Sequence, residues 1–146
     1  MVNVIETLFP RLHAGNYQVT SPETDVYNCI AWAAGVTSKW WWPQGDPITT
    51  FWPAGVDKQE TVAAFQAAFA SLGYVPCDSP EPEPGFEKIA LFCDQQQFPM
   101  HAARQLHSGA WTSKLGTLED VEHVLTDLEG TEYGAVVLLM KRASLP

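Results

Sequence analysis

Two residues in this chain have the types and the setting for covalent chemistry, Cys29 and His101. A cysteine attacks an electrophile well only as its thiolate, and a nearby imidazole together with backbone N–H groups favours that form. The run Cys29-Ile30-Ala31-Trp32-Ala33-Ala34, closed by Gly35, predicts a short buried helix. Asn28 or Asp25 would cap its start and Gly35 would lie just past its end. Cys29 would then open the helix, where free N–H groups favour negative charge. His101 stands near the start of a run with strand character, Met100–Leu106. Strand parity puts His101, Ala103 and Gln105 on one face, with the small Ala103 leaving room beside the imidazole.

An imidazole that acts as a base must be held in one tautomer by a partner on its other nitrogen. His107-Ser108-Gly109 predicts a turn that sends the chain back antiparallel, so the partner should come from Thr112 to Gly116. Only Thr112 and Ser113 offer side-chain acceptors there, because the Lys114 ammonium donates and cannot accept. Counting across the turn puts Thr112 on the face shared with His101, and Ser113 or a nearby backbone carbonyl are the other candidates. A carboxylate such as Asp120 or Glu122 in that place would mean a different strand pairing.

Several elements must hold these residues together. The stretch to about Val26 reads as turn-rich loop. Residues 39–56 form an aromatic, proline-broken loop containing Trp40-Trp41-Trp42. Asp57 and Glu60 resemble a capping box ahead of a helix whose face carries Val62, Phe65, Phe69 and Leu72, stopped at Gly73. Residues 76–86 read as an acidic, proline-spaced and solvated connector. Lys88–Cys93, Met100–Leu106 and Ala110–Lys114 predict three strands of an antiparallel meander. Leu118, Val121, Leu125 and Leu128 have helical spacing, and Ala135–Met140 predicts a buried last strand. Helices followed by strands make the class α+β.

The segment from Tyr17 through Asn28-Cys29-Ile30-Ala31-Trp32-Ala33-Ala34 resembles the NlpC-like cysteine peptidases and amidases of the papain-like superfamily. That family carries a tyrosine, a Gly/Ser/Pro-rich loop, a small polar residue and then the nucleophilic cysteine on a small-residue helix. Tyr17, Asn28 and Cys29 fall at those positions, and Ile30 stands where the family has a small residue. The chain also resembles uncharacterised bacterial proteins that share N-C-I-A-W-A and W-T-S-K-L-G. The resemblance implies one papain-like domain over residues 1–146, with the cysteine helix packed on an antiparallel sheet. It implies Cys29 as nucleophile, His101 as base and Ser113 as third member. Tyr17, Asn28, Trp42 and Lys114 would then hold substrate, a peptide or protein.

The remaining features have plainer readings. Cys77 and Cys93, with Cys29, form neither a disulfide framework nor a zinc pattern, and Cys93 reads as core. His13 shows no partner, His107 reads as turn, and His123 could orient another group but reads first as a residue on a helix surface. A formal net charge of −9, with 8 Lys+Arg against 17 Asp+Glu, argues against nucleic acid and anionic membrane surfaces as partners. No cofactor is implied, no leader or membrane span is evident, and a cytoplasmic location is the expectation. Two rival functions stand beside a thiol hydrolase. One is a catalytically weak papain-like module that binds a peptide, glycan or protein through its Trp-rich loop. The other is an accessory or immunity-type protein whose acidic surface meets a basic partner.

Overall fold

A computed structural model describes residues 3–46 and 48–144. The two residues at each end and Pro47, part of the expected aromatic loop, lie outside the described residues. The architecture is mixed, with few helices around a dominant antiparallel sheet. Helices α1 (Val4–Leu8), α2 (Cys29–Ala33) and α3 (Val62–Ala70) are short. Strands β1 (Tyr17–Ser21), β4 (Val75–Cys77), β5 (Phe86–Cys93), β6 (Pro99–Gln105), β7 (Trp111–Lys114), β8 (Asp120–His123) and β9 (Ala135–Ala143) form one sheet, ordered β1-β8-β7-β6-β5-β9-β4. A parallel pair, β2 (Trp40–Trp41) and β3 (Thr50–Phe51), stands apart.

The expected meander is present as β5-β6-β7 and continues into β8. Gly109 turns the β6–β7 hairpin with φ of 93°, a left-handed value that glycine adopts without strain. The sheet separates two cores. Ile89, Leu91, Cys93 and Ala102 point to one face and pack against Ile30, Ala33, Phe65 and Phe69 of α2 and α3. Ala90, Phe92, Ala103, Trp111 and Val121 point to the other, against Ile5 of α1 and Leu125 and Leu128 of a 3₁₀ helix (Leu125–Leu128). The near-continuous burial of β5 follows from a strand covered on both faces, which removes the apolar/polar alternation of a half-exposed one.

Three expectations are corrected. The N-terminal stretch contains α1 and β1, the latter paired with β8 rather than left as loop. Leu118–Leu128 is not a helix: Asp120–His123 alternates Val121 and His123 toward the sheet's second core, and the four leucine and valine positions only mimic a helical period. The cap of α3 is Thr61, whose hydroxyl accepts from the Ala64 N–H, rather than an Asp57/Glu60 box. Its stop is as expected: Gly73 has φ of 95° and the Tyr74 N–H bonds back to the Phe69 carbonyl at 3.2 Å. The connector after β4 is also less solvated than it reads, because Glu83 pairs with both Lys88 and Lys141 at 3.0 Å.

Candidate active site

Asn28 builds the entry to α2 with both ends of its amide. Its Oδ1 accepts from the Ala31 and Trp41 N–H groups, and its Nδ2 donates to the Trp41 carbonyl at 2.7 Å. The cap therefore locks the helix start to β2. Asn28, expected as a substrate contact, spends its amide on this brace. Gly35, with φ of 84°, closes the helix as the Val36 N–H returns to the Ala31 carbonyl. Cys29 is held at the first position and is 7% exposed.

Burial, not the helix end, decides the state of this thiol. Five residues make a weak dipole, and desolvation raises the Cys29 pKa to about 11. Opposing that rise are the backbone N–H groups of Ala102, Ile30 and Cys29 itself, and the Lys114 ammonium. The Ala102 amide belongs to the peptide that joins it to His101, so the sulfur approaches β6 beside the histidine. α2 packs on both β6 and β7. Those strands are registered only at Arg104↔Thr112 and Gln105↔Trp111 and part company toward His101.

His101 is fully buried, and strand parity groups it with Ala103 rather than with Ala102, which packs against α2. Its ring meets Phe92 edge-on at 5.1 Å and stacks on Tyr133 at 4.0 Å, with the planes 7° apart. Tyr133 rides on a short loop whose ends, Gly130 and Gly134, bond each other's backbones at 2.8 and 2.9 Å. A side chain at residue 134 would collide with the Cys93 carbonyl, so the close seating of this loop requires glycine. The Tyr133 hydroxyl is pushed well up, by burial first and then by the charges of Cys29 and Glu132.

Ser113 is the partner of His101, with Oγ 2.9 Å from Nε2. Thr112 points the other way and accepts from the Trp32 indole N–H at 3.3 Å. Continuing the β6–β7 register sets Ser113 opposite Ala103 and diagonal to His101 on the same face, and the small Ala103 leaves the diagonal open. Ser113 Oγ also lies 2.7 Å from Nε2 of His123, whose Nδ1 lies 2.7 Å from the Val124 carbonyl. His101 Nδ1 is buried with no hydrogen-bond partner among the described residues, and no hydrogen bond joins it to Cys29. Burial, then the neighbouring His123, holds His101 well below the usual histidine range. Burial lowers His123 to about 4, so both rings are neutral at pH 7.

The other expected contacts have structural occupations. The Tyr17 hydroxyl donates to Glu6 at 2.8 Å on the β1 edge of the sheet. Lys114 is buried, and its ammonium donates to the carbonyls of Thr24, Gly116 and Leu118. Those bonds use its three donors, so it cannot greet a substrate carboxylate as well. Trp42 packs edge-on against Phe65 at 5.3 Å, and part of it lines a shallow groove with Phe51, Trp52 and Lys58. Asp120 takes the Tyr27 hydroxyl at 2.8 Å and is not the partner of His101.

From sequence alone, an orienting role for His123 ranks below a helix-surface position, and Tyr133 is missed. The first carried a signal in the two-residue alternation of Val121 and His123; the second carried none beyond its flanking glycines. Among the described residues, no cluster of His, Cys, Asp and Glu is arranged to hold a metal, and no helix is long and apolar enough to cross a membrane.

A family model described as "Domain of unknown function (DUF7689)" matches residues 18–141. The chain belongs to that family. Neither the curated proteins nor the solved structures yield a match. The matched span includes Cys29, His101, Ser113, His123 and Tyr133 and begins one residue after Tyr17.

Proposed function

We propose that this member of the family is a cysteine-dependent hydrolase, a papain-like peptidase or amidase that cleaves an amide or isopeptide bond through an acyl-enzyme. The supporting observation is the division of labour on His101. Its Nε2 is anchored by Ser113, while its Nδ1 is unpaired on the residue whose following amide faces the Cys29 sulfur. In the reaction Cys29 Sγ bonds to the substrate carbonyl carbon as its proton passes to His101 Nδ1. The Cys29 N–H is placed to receive the developing oxyanion. Collapse breaks the C–N bond, and His101 returns the proton to the leaving amine. Water, deprotonated by His101, then attacks the thioester and releases the carboxylic acid and the free thiol. The neutral resting pair suits this order, because the proton moves during attack instead of being stored as an ion pair.

The burial of Cys29 and His101, with a thiol raised rather than lowered, favours a second reading: a papain-like module that binds a partner and has little catalysis. Alkylation separates the two. Cys29 and Cys77 are followed by peptide mapping during iodoacetamide treatment at pH 7, in the wild-type protein and in His101→Ala. The hydrolase reading expects His101→Ala to slow Cys29 labelling by about tenfold or more while Cys77 is unaffected. It also expects Cys29→Ala to cost only about 1 kcal/mol of stability. Labelling of Cys29 that ignores His101 supports the binding module.

A further inference from the structure

The hydrogen bonds around Ser113 have a direction, and it can be worked out from one end. The Val124 carbonyl can only accept, so the proton between it and His123 must sit on Nδ1 of His123. A neutral His123 then has a lone pair on Nε2, and the Ser113 hydroxyl 2.7 Å away must donate to it. With its one proton spent, Ser113 Oγ can only accept from His101, so the His101 proton sits on Nε2. His101 Nδ1 is left with a lone pair. The reverse order would require protons on both nitrogens of His123, an imidazolium buried beside a second histidine. Burial opposes that strongly.

We propose that His123, acting through Ser113, is a positioning residue that fixes the tautomer of His101 and keeps Nδ1 free to act as a base. The residue comes from β8, two strands away from β6, and is linked to His101 through the Ser113 hydroxyl. A serine alone could not do this. Its hydroxyl rotates and both donates and accepts, so it would support either tautomer of His101. The backbone carbonyl of Val124 supplies the fixed end, and His123 carries that polarity across to Ser113. Stacking on Tyr133 and the edge of Phe92 hold the ring plane of His101, so the proton's position rather than a ring rotation is what the chain controls. A histidine here thus takes on the orienting work that a lone hydroxyl does poorly.

The role assumes that His101 is the base of the reaction proposed above, but the hydrogen-bond chain does not, and it can be measured without a substrate. Nitrogen-15 NMR distinguishes a protonated from an unprotonated imidazole nitrogen and reads each ring's tautomer at pH 7. In the wild-type protein, His123 should be Nδ1–H and His101 Nε2–H, each as a single tautomer. His123→Gln places an amide oxygen near the former Nε2 and should retain the His101 tautomer; His123→Phe, with no acceptor, should lose that preference. A wild-type His101 found as Nδ1–H, or a His123→Phe variant with the His101 tautomer intact, overturns the proposal. Should His123→Phe fail to fold, the two wild-type tautomers decide. The predicted tautomers combined with Cys29 labelling indifferent to His101 would uphold the relay and overturn the hydrolase.

Discussion

Tyr133 lies flat on His101, with ring centroids 4.0 Å apart and planes 7° apart, and covers one face of the imidazole. The contact gives Tyr133 two separable effects, packing and cover. Tyr133→Phe keeps the ring and should change stability by less than about 1 kcal/mol. Tyr133→Ala removes a largely buried ring and should cost about 3 kcal/mol in urea unfolding. If Tyr133 also limits access to the proposed site, Tyr133→Ala should speed Cys29 alkylation at sub-denaturing conditions, because the tyrosine covers the imidazole that the proposed reaction pairs with the thiol. Unchanged labelling in Tyr133→Ala would show that access runs elsewhere.

The buried Lys114 invites a different test. Its ammonium satisfies three backbone carbonyls from the segments before α2 and before β8, and lies over the Tyr27 ring, 5.4 Å from its centroid. Lys114→Met preserves the apolar stem but leaves those carbonyls without a donor. The expected cost is about 3 kcal/mol or more, since unpaired buried acceptors lose their solvation with nothing in return. Lys114→Arg should not rescue it, because a planar guanidinium cannot reproduce the compact, three-way donation. Calorimetric melting checks both variants. A melting temperature for Lys114→Met near that of the wild type would reopen the substrate-binding role expected of this residue from sequence.

How much of this was legible beforehand depends on whether neighbours in sequence or in space decide each feature. The α2 cap at Asn28, the Gly35 and Gly73 stops and the β6–β7 hairpin are local, and the residue types alone point to them. The hairpin turn narrowed the partner of His101 to Thr112 or Ser113, but counting across it pointed to Thr112; the observed register, Arg104 opposite Thr112, selects Ser113. Leu118–Leu128 misled because apolar residues three and four apart suit a helix as well as a strand running into a 3₁₀ turn; the pairing of β8 with β1 and β7 decides it, and that pairing is long-range. The same error hid His123, because a helix-surface histidine and a buried strand histidine look alike until the partner strands are known. The face occupied by α2 was equally illegible. Parity assigns His101 and Ala102 to opposite faces but does not say which face the cysteine helix will cover.

The two linked histidines make the protein sensitive to acid in a defined window. Burial holds His123 at about 4 and His101 well below the ordinary histidine value of 6.5. Above pH 6.5 both are neutral in the folded and the unfolded chain, and neither affects stability. As pH falls below 6.5, the unfolded chain binds a proton at each histidine and the folded chain does not, so stability declines. Each histidine contributes a slope of about 1.4 kcal/mol per pH unit, and the pair about twice that. For His123 the decline continues until its folded pKa near 4 is reached. Glu83, held below its ordinary value of 4.5 by Lys141 and Lys88, adds its own loss only in more acid solution, which leaves the interval from pH 6.5 to 4.5 to the histidines. Urea midpoints at pH 7, 6 and 5 should therefore fall steeply, and His123→Gln should roughly halve the slope contributed by the pair. Equal midpoints at pH 7 and 5 would mean that the relay takes up protons while folded, and the two rings could not then be the neutral, buried pair on which the base at His101 depends.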